Sequence, residues 1–298
     1  MARVALSGLE RLIMIHRIFI LAVIFILIAP MSRADIKATF VSASDVELEN
    51  PHDLKLSPDG TQLFVSDVGN NRVVVLDPET LDFIYTFGAD HQAGTHDVDF
   101  DKDGNAYIAD THNNRVAIYK IQPKTATYIG ELKGGFRGPE GVLLHPNGRV
   151  YIAGAWSNNV VAFENGKVVH ELMGLSSPHD LELNQDGNIW LADANNDRLT
   201  LLSPSLQIKR SLKGPPYNFD GVRYLDILAN GTIVAADKNN HQVKFIDPND
   251  NVVLTLGSGS PGKGPNVFTT PEGVEIRGKT LWFSDSGNDR IVKYKIDD

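Results

Sequence analysis

The chain has 298 residues, 42% of them hydrophobic, which is apolar mass enough for one large packed domain or two small ones. Its 28 basic residues against 37 acidic ones leave a net charge of -9, which excludes nucleic acid as a partner, since phosphate contacts need a basic surface. The absence of cysteine excludes a disulfide scaffold, a lipid-anchored start, thiolate metal centres and a thiol nucleophile, so any chemistry must come from His, carboxylates, hydroxyls or a metal.

Arg3, Arg11 and Arg17 precede Ile18–Ala29, a run of twelve residues with no polar side chain. Pro30 then breaks it, and Ser32-Arg33-Ala34 places small residues at the two positions a signal peptidase reads. The run is shorter than the roughly 20 residues a membrane span needs. Residues 1–34 are therefore expected to be a secretory signal peptide, with Met14 as an alternative start. Its removal leaves 24 basic against 36 acidic residues, a net charge of -12, on a periplasmic or secreted monomer of residues 35–298 that does not insert in a membrane.

Beyond Ala34 the chain repeats. Units open at Pro51, Thr95, Pro139, Pro178, Phe219 and Pro271, and the residues after these anchors (52, 96, 140, 179, 220 and 272) are spaced by 44, 44, 39, 41 and 52. Each unit begins with an alternating strand such as Leu54/Leu56 or Val98/Phe100, followed by an Asp-Gly or Asn-Gly hairpin turn at Asp59, Asp103, Asn147, Asp186 or Asn230. A second strand (LFVSD, AYIAD, VYIAG, IWLAD, IVAAD, LWFSD), a third (RVVVL, RVAIY) and a fourth (Phe83–Phe87, Val252–Leu256) follow, and no segment reads as a helix. Four antiparallel strands at this period describe propeller blades, so residues 35–298 are expected to form a single all-β, six-bladed β-propeller. The last unit ends after its third strand, and the orphan strand Ile36–Val41 is expected to complete that blade and close the ring.

SDVGNNRV, ADTHNNRV, ADANNDRL and SDSGNDRI resemble the NHL repeat family of six-bladed propellers. The Asp and Arg of these motifs (Asp67 and Arg72, Asp110 and Arg115, Asp193 and Arg198, Asp285 and Arg290) recur in most blades, as does Asp237. A residue needed once for chemistry need not recur, so these pairs are read as braces of the second-to-third strand loop.

The informative position is the start of strand one, which lies at the axis of a propeller. There the units present His52-Asp53, His96-Asp97, Glu140-Gly141, His179-Asp180, Asp220-Gly221 and Glu272-Gly273. Three imidazoles and three carboxylates at one repeat position suit a divalent metal, zinc or a similar ion, and an open coordination position would activate water or a carbonyl. The competing reading is a hydrogen-bonded ring at a wet channel mouth.

Pro51-His52-Asp53-Leu54 and Pro178-His179-Asp180-Leu181 resemble the Pro-His-x-Leu/Ile motifs of peptidyl-α-hydroxyglycine α-amidating lyases, and Thr95-His96-Asp97-Val98 is a close third. The resemblance implies zinc on these His residues and a structural calcium on Asp180, with Asp53 and Asp97 as further candidates. In that family the His residues come from alternate blades, which here would select His96, His179 and Glu272, or His52, Glu140 and Asp220. The family's catalytic Arg and Tyr, which follow the strand-two Asp, have no counterpart at Val68-Gly69, Thr111-His112, Ala155-Trp156, Ala194-Asn195, Lys238-Asn239 or Ser286-Gly287.

Strand-two ends open on the same face as strand-one starts. His112 is thus a candidate general acid or base, Trp156 an apolar wall, Lys238 an anion clamp, and Arg137 and Tyr217 part of a binding rim. The glycine-rich loop from Gly257 to Thr270 is expected to be mobile. His91, His145, His170 and His241 fit no shared position and read as surface residues. The expected function is a metal-dependent lyase or hydrolase taking a small-molecule or peptide ligand at the channel mouth. The alternatives are a non-catalytic binding or scaffolding propeller and, from Pro-Glu-Gly at Glu140 and Glu272, a calcium lactonase resembling the gluconolactonase family.

Overall fold

A computed structural model describes residues 36–297. The predicted signal peptide lies outside the described residues. Six separate four-stranded antiparallel sheets form the blades of the propeller. The six inner strands are Pro51–Leu56, Thr95–Phe100, Pro139–Leu144, Pro178–Leu183, Val222–Ile227 and Pro271–Arg277. The N-terminal strand, Lys37–Ala43, pairs antiparallel with Arg290–Asp297 and completes blade six, as the sequence predicts. The only helical segments among the described residues are 3₁₀ turns of three residues after strand two of blades one, four and six.

Apolar clusters sit between neighbouring blades rather than inside one. Phe64, Val73 and Val75 of blade one pack on Val98, Ile108 and Ala117 of blade two, and Trp282 and Ile291 of blade six join Leu54, Val65 and Val74 of blade one across the seam. The Asp-Gly and Asn-Gly turns behave as expected, with Gly60, Gly104, Gly148, Gly187 and Gly231 all at positive φ.

The repeated Asp is the hub of the loop after strand two in five blades, blade three having Gly154 in its place. Asp67, Asp110, Asp193 and Asp285 are fully buried, and each accepts from an Arg Nε at 2.6 to 2.8 Å. Each also accepts from the Asn three residues on and from a backbone N–H of the loop leading into its own blade. Blade five keeps the hub at Asp237 but supplies the cation from Lys244. The bracing role expected for these pairs is what their geometry provides.

The residue just before strand three lies in the left-handed region in every blade: Asn71, Asn114, Asn158, Asp197, His241 and Asp289, with φ between 52° and 54°. Asn and Asp tolerate that conformation best after glycine, which accounts for the recurring Asn-Asn/Asp. Each of these side chains accepts a backbone N–H from the entry to the next blade, from Gly94, Gly138, Ser177, Gly221, Thr270 and Asn50 in turn. The last of these, Asp289 to Asn50 at 2.8 Å, closes the ring. His241, expected to be a surface residue, holds the blade-five position of this series through Nδ1.

Candidate functional site at the axial mouth

Every inner strand carries a one-residue irregularity against strand two; in blade one Pro51 opposes Asp67 and Leu54 opposes Val65. Such a bulge re-aims side chains. It lets two consecutive residues, such as His52 and Asp53, both reach the channel, after which ordinary alternation brings Lys55 there too.

The same register corrects the reading of blade five. Val222 opposes Asp237 and Leu225 opposes Ala235, so Val222 is the counterpart of Pro51 and Arg223 the counterpart of His52. Asp220 lies three residues before that position, is exposed, and accepts from Asn239 at 2.9 Å; the structure does not bring it into the ring. The distance to the turn carries the signal that identifies Arg223. Pro51 to Asp59, Thr95 to Asp103, Pro139 to Asn147, Pro178 to Asp186 and Val222 to Asn230 are all eight residues, whereas Asp220-Gly221 only imitates the Glu-Gly pairs of blades three and six.

The uppermost ring is therefore His52, His96, Glu140, His179, Arg223 and Glu272. The His52 and His96 rings meet edge to face with centroids 4.5 Å apart. Glu140 Oε2 lies 2.5 Å from His179 Nε2, Arg223 contacts the same nitrogen, and Arg223 Nε lies 3.9 Å from Glu272 Oε2. Glu272 Oε1 is 3.8 Å from His52 Nε2. Lys238 reaches in from its loop to pair with Glu272. Glycine is required beside two ring members because a Cβ on Gly141 would lie 1.9 Å from the His179 carbonyl oxygen, and one on Gly273 2.4 Å from that of His52.

Two of the three imidazoles are oriented from behind. His96 Nδ1 faces the Gly94 carbonyl at 2.9 Å and Thr111 Oγ1 at 2.8 Å, and His179 Nδ1 faces the Ser177 carbonyl at 2.7 Å. A carbonyl can only accept, so both rings present a proton on Nδ1 to it and turn Nε2 toward the axis. Burial pushes His52 down to about 3 and lowers His96 as well, so both are neutral at ordinary pH. Burial would raise Glu140, but His179, His96 and His52 override it and hold it well below the usual carboxylate range. Glu272 is likewise held at about 2, against its burial, by His52, Lys238 and Arg223.

Below this ring the channel is plugged. Tyr224, fully buried, sends its hydroxyl across the axis to the backbone carbonyl of Glu140 at 3.0 Å and toward that of His96 at 3.3 Å. Asp53, Asp97 and Asp180 share its level, and burial raises all three. One turn of the alternation deeper lie Lys55, Asp99, Glu182, Asp226 and Glu275, with Lys55 paired to Glu182 at 2.9 Å. A cavity of about 10 Å³ between the two layers has room for a single water-sized occupant.

At the rim, His112 and Trp156 are exposed and stacked, with ring centroids 5.6 Å apart and planes 23° from parallel. Arg137 is exposed beside them, its carbonyl accepting from the Trp156 N–H at 3.1 Å. Tyr217 is not on the rim: it is buried against Phe219 in the blade-four to blade-five cluster, and its hydroxyl donates to the Asp250 carbonyl at 2.9 Å. The segment Gly257–Thr270, expected to be mobile, is anchored by fully buried Phe268 and by Asn288 and Arg290, which donate to the carbonyls of Gly262 and Gly264.

The donor chemistry suits a borderline divalent cation such as zinc: neutral imidazoles at His52 and His96, ionised carboxylates, and ring atoms with unmet bonding capacity at His52 Nδ1 and Glu272 Oε2. Among the described residues, no three His, Asp or Glu side chains already stand at ligand distance from one point.

A six-bladed β-propeller with a ring of imidazoles and carboxylates at its axis is the class these features define. The NHL repeat family profile matches residues 96–119. The chain is 24% identical over 189 residues to peptidyl-glycine alpha-amidating monooxygenase B of Xenopus laevis, an alignment covering 55% of this chain and 21% of that protein. Monooxygenase A of the same organism matches at 24% over 55% of this chain. The chain thus spans about a fifth of the length of these relatives. Among solved structures it resembles virginiamycin B lyase from Staphylococcus aureus bound to quinupristin, with a TM-score of 0.62 at 15% identity over 87% of this chain and 99% of that one. A protein of unknown function from Bacteroides thetaiotaomicron aligns with a TM-score of 0.74 at 15% identity over 88% and 76%. At these identities the structural likeness is one of fold.

Proposed function

We propose that this protein is an exported, metal-dependent lyase or hydrolase that takes a small-molecule or peptide ligand at the axial mouth. The observation that carries the reading is the paired orientation of His96 and His179, whose Nδ1 atoms are fixed by backbone carbonyls so that Nε2 is left to face the axis, that of His179 lying 2.5 Å from Glu140 Oε2. His52, His96 and His179, with Glu140 and Glu272, would hold the cation, zinc by its donor set. Such an ion, when bound, supplies Lewis-acid polarisation of a ligand oxygen. Asp180, with Asp53 and Asp97, would hold a structural calcium, an ion that takes oxygen ligands.

The protein's own groups supply the rest. His112 would take or return a proton, with Trp156, stacked on it, as an apolar wall. Arg137 and Lys238 would attract an anionic ligand, and the Tyr224 plug excludes bulk water from below. The sequence likeness to amidating monooxygenases and the fold shared with a lyase support the reaction class.

The second reading, a non-catalytic binding propeller, is favoured by Arg223 and Lys238, which both lie against Glu272 and offset its charge from within the protein. One experiment separates them. Residues 35–298 exposed to zinc and then dialysed are expected to keep about one ion per chain and to lose thermal stability with a chelator. His96→Ala combined with His179→Ala should abolish both effects. A folded protein that retains no zinc and ignores chelator belongs to the second reading.

A further inference from the structure

Arg223 occupies, in blade five, the position at which the other blades offer only metal-ligand chemistry, three His and two Glu. Its guanidinium lies against His179 Nε2, with NH1 also 3.2 Å from Nδ1. The Ser177 carbonyl, 2.7 Å from His179 Nδ1, takes up the rear of that ring, so Nε2 is the atom left to face the axis, where Glu140 Oε2 stands 2.5 Å away. The cation contacting Nε2 in this structure is Arg223.

The fit is incomplete. Arg223 Nε is buried with no hydrogen-bond partner, as are His52 Nδ1 and Glu272 Oε2, so the guanidinium meets the charge requirement of the ring but leaves three polar atoms unsatisfied. A compact ion could coordinate several of these groups, but not while NH1 lies on Nε2.

We infer that Arg223 is the ring's built-in substitute for a divalent cation: it closes the metal-free ring by capping His179, and it must withdraw for the ion to bind. The inference rests on the metal-site reading above and makes Arg223 a residue that sets affinity rather than a ligand. Removing its charge and donors should therefore tighten metal binding instead of weakening it, the opposite of what a supporting residue would do.

The test is calorimetric titration of chelator-treated protein with zinc, together with the visible absorption of the cobalt(II) form. It uses the parent and two uncharged variants, Arg223→Met and Arg223→Gln, each checked by circular dichroism for an intact fold. Both variants are expected to bind zinc about tenfold or more tightly than the parent, since the ion no longer has to displace a charge-assisted hydrogen bond. Their cobalt spectra should match the parent's in shape and saturate at lower metal concentration. Equal zinc affinity in all three proteins overturns the inference and leaves the metal reading standing. Binding by the parent alone, with both variants folded, overturns it by making Arg223 a support of the site. No binding by any of them overturns both.

Discussion

Asp226 sits in the deepest layer of the channel, and burial, reinforced by Glu182, pushes it up to about 7 against the pull of Lys55. Its ordinary value is near 4, so the folded protein holds a proton there that the unfolded chain has released. The sign follows: this group favours folding most below about pH 4, loses that advantage as pH rises toward 7, and contributes a constant penalty above. For a raised carboxylate of this kind the total change is on the order of a few kcal/mol. His52 and His96 act in the opposite direction, because a neutral buried imidazole is destabilised as pH falls below its unfolded value. Comparison with Asp226→Asn cancels the histidines, since Asn keeps an oxygen to accept the Ile276 N–H that Asp226 now takes at 2.6 Å. In urea unfolding across pH 4.5 to 8 in chelator, the parent should lose stability relative to that variant up to about pH 7 and then run parallel to it. A difference independent of pH would mean that Asp226 is ionised in the fold. At this scale the sequence displays most of the ring, because His52, His96, Glu140, His179 and Glu272 each follow an anchor residue directly. Arg223 and Tyr224 follow Val222, which no motif marks. The deep layer is also hidden, since Lys55, Asp99, Glu182, Asp226 and Glu275 look like the solvent face of an alternating strand.

Between residues and the whole, the working unit is the loop from strand two to strand three. Its Asp–Arg pair is legible because both partners lie within one repeat. The role of the Asn between them is not, because its acceptor atom serves a backbone N–H about 23 residues later, as Asn71 does for Gly94 and Asn114 for Gly138. The two contributions of that residue can be separated by substitution. Asn114→Gly keeps the left-handed backbone available and removes only the inter-blade hydrogen bond, for a loss of about 1 kcal/mol. Asn114→Ala adds the steric cost of a Cβ in that region, bringing the loss to about 2 to 3 kcal/mol. Denaturant unfolding of both variants checks the order. If alanine proves no worse than glycine, the φ of 52° at this position is not a constraint on the sequence. The same loop positions Thr111, which lies on His96 and donates to the Pro139 carbonyl at 2.6 Å, so the brace of one blade also holds a ring imidazole of the mouth.

The whole molecule depends on one seam. Every blade is joined covalently to the next through its outermost strand, and Lys37–Ala43, the outermost strand of blade six, runs on to Pro51 of blade one. The ring is closed without a covalent bond inside blade six, by the pairing of Lys37–Ala43 along Arg290–Asp297 and by Phe40 packed edge-on to Tyr294 at 5.8 Å, with the Asp289 bond to Asn50 added between blades six and one. This closure is readable in sequence from an unpaired strand at one end and a missing strand at the other. Its consequence for the site is visible only in three dimensions, because His52 and Glu272, 220 residues apart, meet across the same seam at 3.8 Å. Deleting residues 36–43 from the 35–298 protein should therefore do three things. It should lower unfolding stability by about 3 kcal/mol or more, the scale of losing a well-packed aromatic with its surroundings. It should expose the Arg290–Asp297 edge to pairing with other chains, seen as concentration-dependent light scattering. Zinc retention, on the reading that the ring holds metal, should fall while far-ultraviolet circular dichroism stays near that of the parent, since five blades keep their sheets but Glu272 and His52 lose their fixed separation. A truncated protein as stable and as monodisperse as the parent would place the closing force elsewhere, in the inter-blade clusters and the carboxylate bonds to neighbouring inner strands, such as Asp97 to the Val142 N–H at 2.6 Å and Asp180 to that of Leu225 at 2.7 Å.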